Sequence, residues 1–264
     1  MSRPTEIDLW NRGIVTLLAS WEEDARGSAG AELRRLDGVA VATFPTGSER
    51  DVFNNAVLER GLGSRQRAAA VEAMETAYAG AGIGRYAAWV HESEEGMQAE
   101  LGHRGYAVEE TTRAMALCLE DAAPPDPAVE VGPVSWLEYL GYLRALGLPP
   151  GLLAGVDPSA YHVLGASIEG EVVATALAFD HDGDCGIFNL STFEWARRRG
   201  LGTALTAHLL RDARRRGCRT ATLQSTPMAE GVYAKVGFRS LGRILEHTPP
   251  PAHSAPHSSP GPLD

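Results

Sequence analysis

The segment Arg197-Arg198-Arg199-Gly200-Leu201-Gly202-Thr203 is where this sequence is best equipped to hold a charged ligand. It follows a strand-like run ending at Thr192 and opens an apolar run, Leu201, Leu205 and Leu209, whose four-residue step is that of one helix face. A strand, a short loop and Gly-x-Gly at a helix start make a phosphate cradle on physical grounds. First-turn amides have no helical partners, the helix dipole concentrates partial positive charge there, and glycine lets an anion approach the backbone. The charge distribution agrees. The chain is acidic, with a formal net charge of -10, yet Arg197 to Arg219 holds eight arginines and one acid, Asp212. A solvated helix face also collects charge, so composition alone leaves both readings open.

Spacing narrows the ligand. A Walker loop needs Gly-Lys followed by Ser or Thr, and the only lysine is Lys235. A dinucleotide fingerprint needs a third glycine where Leu205 stands. A second glycine cluster, Gly80-Ala81-Gly82-Ile83-Gly84, follows a helix and precedes a strand, the wrong polarity for phosphate, and reads as a turn. The acidic remainder of the chain excludes a general nucleic-acid or anionic-membrane binder.

The elements around the loop are legible. Before it come a hairpin, Tyr161 to Ile168 and Val172 to Phe179, and a strand from Gly186 to Thr192. After it come a helix ended by Gly217, a strand from Thr220 to Gln224, a helix from Pro227 to Val236 capped by Gly237, and a strand from Phe238 to His247. Upstream, a strand from Ala128 to Val131 and a helix from Trp136 to Leu146 complete a C-terminal unit. The N-terminal part repeats the pattern more poorly: a long helix from Thr5, strands Val39 to Phe44 and Phe53 to Leu58, a helix Arg65 to Tyr78, a strand Tyr86 to His91, a helix Glu94 to His103 and a strand Tyr106 to Leu119. A shift of 132 residues lays Gly105-Tyr106 on Gly237-Phe238 and Ser93 on Ser225, so the halves read as diverged copies of one unit.

The fold class is therefore α/β (α+β), with residues 1–120 an N-terminal domain, the proline-rich stretch 121–127 a linker, 128–248 the domain carrying the chemistry, and 249–264 a disordered tail with six prolines. Cys118, Cys185 and Cys218 are odd in number, far apart and never paired as C-x-x-C, which predicts structural thiols and no metal site. No apolar stretch is long enough to cross a membrane, so the expected location is cytoplasmic, as a monomer or homodimer.

Arg197 to Gly202 resembles the signature of the GNAT superfamily of acyl-CoA N-acyltransferases: Gln or Arg, two residues, Gly, one residue, then Gly or Ala. The preceding strand and the following strand, helix and Tyr233-Ala234-Lys235-Val236-Gly237-Phe238 stand in that family's order. The resemblance covers roughly Val129 to His247 and implies two GNAT-like halves, each a twisted, mostly antiparallel mixed sheet flanked by helices, the first degenerate. It implies that acetyl-CoA is the co-substrate and an amine the acceptor. Leu190, Ser191 and Thr192 would form the splayed strand that bonds the pantetheine arm. Arg197, Arg198, Arg199, Gly200, Leu201, Gly202 and Thr203 would wrap the pyrophosphate, and Thr226 would touch coenzyme A where many relatives have Asn. Tyr233 would protonate the departing sulfur as general acid, a transfer uphill by roughly 2 kcal/mol from an ordinary tyrosine unless the site lowers its pKa. The chain departs from the family at Ala221, where many relatives carry a glutamate; Glu194 and Glu230 are substitutes for that base. In the N-terminal half Leu101 stands where Tyr233 does, Arg60-Gly61-Leu62-Gly63 is only reminiscent of the signature, and Asn54, Asn55, Trp89, His91 and Glu92 lie at strand ends that can line an acceptor pocket. Two other readings remain open: a non-catalytic acyl-CoA-binding module, favoured by Ala221, and a nucleotide site for the arginines.

Overall fold

The computed structural model describes residues 3–45, 54–122, 129–147 and 153–251. Most of the expected linker and tail lies outside them. In chain order the elements are α1 (Glu6–Arg26), β1 (Glu32–Leu36), β2 (Val39–Thr43), β3 (Asn55–Leu58), α2 (Ser64–Gly80), β4 (Ala87–His91), α3 (Glu95–His103) and β5 (Ala107–Cys118). Then come β6 (Val131–Pro133), α4 (Trp136–Ala145), β7 (Tyr161–Ile168), β8 (Glu171–His181), β9 (Asp184–Thr192), α5 (Leu201–Arg216), β10 (Thr220–Ser225), α6 (Glu230–Lys235) and β11 (Arg239–Thr248).

The strands form one sheet in the order β1-β2-β3-β4-β11-β5-β10-β9-β8-β7-β6. That order is nearly a palindrome, which bears out two related halves. Each half has given its last strand to the other. β11 pairs with β4, β5 pairs with β10, and the two exchanged strands pair antiparallel at the seam, Arg239 opposite Ala116 through Thr248 opposite Ala107. The sheet is therefore continuous across the stretch between the halves. Alternation along the strands sorts the helices. Ala176, Ala178, Ala221 and Leu223 pack under α5 and α6, whereas Leu177 and Phe179, one residue out of phase, pack with α4. Likewise Val39 and Val41 face α2, while Ala40 and Ala42 face α1. So α2, α3, α5 and α6 cover one face and α1 and α4 the other.

Helix α1 ties the halves together. Its Thr5 and Asp8 form a reciprocal capping box that satisfies first-turn donors. Leu17 and Leu18 pack against Ala40 and Val57 of the first half and Phe188 of the second. Each such side chain contributes roughly 1.5–3 kcal/mol when fully buried. Gly13 lies close to Thr222, since an added Cβ would stand 3.2 Å from that side chain. Thr16 donates to the buried Asp184 carboxylate, as do Thr220 and Thr222 of β10, at 2.8, 2.6 and 2.6 Å.

Three elements differ from the expected ones, the first being the strand expected from Ala128 to Val131, which is found at Val131–Pro133. The hairpin strand β1 has no counterpart in the sequence reading, because the edge run Glu-Leu-Arg-Arg-Leu buries no residue fully and carries no apolar run. The helix expected from Pro227 begins only at Glu230, and residues 227–229 form a turn. The three cysteines are buried and free, as expected.

Candidate active site

Where the parallel strands β9 and β10 part, the sheet opens. They are paired from Asp184 opposite Thr220 to Ile187 opposite Leu223. Beyond that, β9 follows β8, with Thr192 opposite Ala174, and leaves β10 behind. A bulge drives the turn: Thr175 faces Ser191 and Leu177 faces Phe188, so β9 holds one more residue than β8 across that interval. Asn189 takes up the extra residue at φ 51°, a left-handed conformation that Asn tolerates better than most side chains. Leu190, Ser191 and Thr192 are thus brought to the edge of a splay. The Thr175 hydroxyl beside the bulge is buried without a partner among the described residues, and the Ser191 hydroxyl faces that of Tyr142 on α4.

A short turn, Glu194 to Ala196, carries the chain from the splay to α5. Arg198 and Gly200 both adopt positive φ, 67° and 79°, which wraps the loop over the helix start. Helices α1 and α4 begin with capping boxes, Thr5 with Asp8 and Ser135 with Glu138. No side chain caps α5. Its free amides therefore point from Leu201, Gly202 and Thr203 toward the loop, with Arg197, Arg198 and Arg199 exposed around them. Gly202 packs close beneath the splay, an added Cβ standing 3.4 Å from both Leu190 and Val232. Arg197 is held locally, donating to the Thr192 carbonyl at 3.4 Å and lying 3.9 Å from the Glu194 carboxylate. Thr226 is exposed at the end of β10.

Tyr233, on α6, is 5% exposed and packs in the same apolar cluster as Leu201, Leu205 and Phe238. No described group hydrogen-bonds its hydroxyl. Burial pushes the phenol up to about 12, opposite to the lowering that would ease proton delivery. The carboxylates considered as bases fare poorly. Glu194 is 91% exposed, and Glu230 is tied to Arg113 at 2.8 Å. Ala221 is fully buried under α5.

The first half lacks this equipment. β3 pairs with β4 as far as Val57 opposite Trp89 and stops at Leu58, so no splayed edge continues. The loop before α2 is already filled by the protein itself. Glu94 accepts from the Gly61 amide at 2.9 Å and lies 3.6 Å from Arg60, and Gln66 accepts from the Gly63 amide at 2.9 Å. Leu101, at the position of Tyr233, is fully buried. His91 is satisfied by Ser93 and the Leu241 carbonyl, Glu92 accepts from the Arg243 amide, and Asn54 accepts from the Phe44 amide. Trp89 does face the second half, in one apolar cluster with Trp21 and Phe188. A cavity of about 490 Å³ lined by Arg3, Arg12, Thr16, His181 and Asp184 lies at the start of β9, away from the splay. No group of metal-binding side chains occurs among the described residues.

A splayed parallel pair leading into an uncapped, arginine-flanked helix start is an arrangement suited to a phosphate-bearing ligand. Residues 127–238 match the model of the Acetyltransferase (GNAT) family. No curated protein matches the chain in sequence. Among solved structures, it resembles a GCN5-related N-acetyltransferase from Kribbella flavida, with a TM-score of 0.67 and 20% identity over 89% of this chain and 96% of that one. It also resembles a GCN5-related N-acetyltransferase from Sphaerobacter thermophilus, with a TM-score of 0.55 and 18% identity over 93% of both chains. A tandem GNAT protein from the clavulanic acid biosynthesis pathway matches with a TM-score of 0.58 and 15% identity over 93% and 97%. These likenesses bear out the mixed, mostly antiparallel fold and the two-half architecture.

Proposed function

We propose that the chain is an N-acetyltransferase that moves an acetyl or other acyl group from acyl-CoA to a primary amine of a small molecule or peptide by direct attack. The catalytic unit in this reading is 128–248, with residues 1–120 a degenerate copy that has lost transfer. The observation that carries it is the uncapped start of α5 directly after the splayed end of β9. The α5 amides and Arg197 to Thr203 receive the pyrophosphate, with Thr226 at its flank, and Leu190, Ser191 and Thr192 present backbone groups to the pantetheine arm and the thioester carbonyl. The amine nitrogen bonds to the carbonyl carbon, backbone N–H groups stabilise the oxyanion, and the C–S bond breaks. With its phenol held high, Tyr233 stays protonated and serves the leaving thiolate mainly as a hydrogen-bond donor in the transition state. Free coenzyme A release, followed with a thiol reagent across an amine panel, tests this reading.

A second reading, a non-catalytic acyl-CoA-binding module, draws support from Ala221 and from the exposed Glu194 and arginine-bound Glu230. Acyl-CoA binding with no coenzyme A release in any amine reaction favours that reading.

A further inference from the structure

At the floor of the splay, β9 presents a side chain that no step above uses. Asn189 is the second residue beyond the last pair of β9 with β10, Ile187 opposite Leu223, and it directly precedes the edge residues Leu190 to Thr192. Its amide is fixed at one end and open at the other. The Nδ2 group donates to the Tyr139 hydroxyl of α4 at 3.2 Å, and Tyr139 is fully buried. Asn189 itself is exposed, and no described residue donates to its Oδ1. Burial pushes the Tyr139 phenol up, so that partner stays protonated and neutral. The bulge and the left-handed backbone at φ 51° turn Asn189 to the α4 face of the sheet, while Leu190 packs with the α5 cluster on the other face. A pantetheine arm coming from the α5 cradle leaves the α4 face open to an attacking nitrogen. Consecutive Cα atoms stand about 3.8 Å apart, so the Asn189 amide reaches alongside the Leu190 backbone. A nitrogen about 2.9 Å from Oδ1 and about 3.3 Å from a thioester carbon at the β9 edge fits that interval.

Resting on the acyl-CoA reading of the splay, we propose that Asn189 receives the acceptor's attacking nitrogen, that Tyr139 is the positioning residue that aims it, and that the acceptor is a primary amine on an uncharged body. Oδ1 accepts one N–H of the amine, which turns the nitrogen lone pair toward the acyl carbon. A neutral amide holds the amine without favouring its ammonium form, as a carboxylate there would. The surroundings are neutral as well. Phe188 and Ser191 of β9, Thr175 and Leu177 of β8 and Tyr142 of α4 lie on the same face, and none carries a charge. Asp24, whose charge Tyr139 feels, is engaged by the Tyr161 hydroxyl at 2.6 Å. At the mouth, Arg197 and Glu194 lie 3.9 Å apart and offset each other. Desolvation among these side chains lowers an amine's pKa and selects its nucleophilic form, whereas a second positive charge on the acceptor is left uncompensated. In the balanced step, the ammonium loses one proton to solvent on entry and the neutral nitrogen forms the C–N bond. The C–S bond breaks, and the proton then lost from nitrogen ends on the sulfur.

The test uses the full chain with acetyl-CoA and three probe amines: 2-phenylethylamine, 3-methylbutylamine and spermidine. Wild type is expected to turn over at least one of the first two with kcat/KM about tenfold or more above that for spermidine. N189G keeps the left-handed backbone; it is expected to bind acetyl-CoA as wild type does and to lose on the order of 30-fold in kcat/KM for the amine. Y139F, which frees the amide to rotate, is expected to lose about fivefold alone and nothing further when added to N189G. N189D keeps an acceptor oxygen in place, so the amine KM is expected to hold while kcat falls and its rising limb moves to higher pH, because a carboxylate favours the ammonium. An N189G loss below about twofold, losses that multiply in the double variant, an N189D amine KM as poor as that of N189G, or an unmoved kcat limb each overturns the assignment. So does a preference for spermidine, or no turnover of any probe by acetyl-CoA-loaded wild type. Failure of wild type to bind acetyl-CoA is separate and sinks the reading of the cradle itself.

Discussion

Replacing Tyr233 by Phe isolates one atom. The ring is packed in the α5–α6 cluster and its hydroxyl has no partner among the described residues, so the substitution removes no protein hydrogen bond and leaves the fold intact. The effect on rate follows from the acidity. Burial holds the phenol at about 12, whereas a free thiol is near 8.5, so complete proton transfer to the leaving thiolate is uphill by about 5 kcal/mol. Full transfer in the transition state is thus disfavoured, and the hydroxyl contributes as one hydrogen bond to a developing charge, about 1.5–3 kcal/mol. Tyr233→Phe is accordingly expected to lower kcat by about 10- to 150-fold with little change in KM for acetyl-CoA. Coenzyme A release at saturating amine, followed with a thiol reagent, measures it. Because the phenol titrates so high, Tyr233 produces no alkaline limb below about pH 11. A loss smaller than about twofold, or a wild-type alkaline limb near 9 that disappears in the Phe variant, refutes this reasoning.

Two further predictions concern the supports of the site. Asp24 of α1 accepts from Tyr161 at 2.6 Å, and burial raises its carboxyl from 3.8 to about 6 despite that bond. Because the folded value lies above the unfolded one, stability from this group is present at low pH and lost as pH rises from about 4 through about 6. D24N is expected to gain about 1–3 kcal/mol relative to wild type between pH 4 and pH 8, read from urea midpoints; an equal difference at both pH values contradicts it. Asp184→Ala strands three buried threonine hydroxyls that join α1 to β10, and is expected to cost about 3 kcal/mol or more; a loss below about 1 kcal/mol in the same assay shows that the triad is not what fastens α1.

The parts of the site that were legible in the sequence are local. Gly200, Gly202 and the leucine step of α5 state the cradle through spacing alone, and the 132-residue shift foresaw the related halves. What local pattern could not show arises from pairing between distant strands. β5 and β11 carry no signal for which half they join, yet their exchange sets the seam. On sequence Asn189 is one more polar residue of a strand, and nothing near it announces that Tyr139 of α4 fixes its amide. Glu94 is similar: only the fold reveals that its carboxylate occupies the Gly61 amide. Arg198 at positive φ also lacks a sequence cue, whereas Asn189 had one in its tolerance of the left-handed region. The raised pKa of Tyr233 has no cue in the sequence either, because it comes from burial, which residue type does not report.

Isothermal titration of the full chain with acetyl-CoA tests the central claim most directly. With an open cradle at α5 and a self-filled one at α2, the account predicts a single equivalent bound per chain, undisturbed by ATP or NAD. No binding, displacement by either nucleotide, or two equivalents per chain contradicts it.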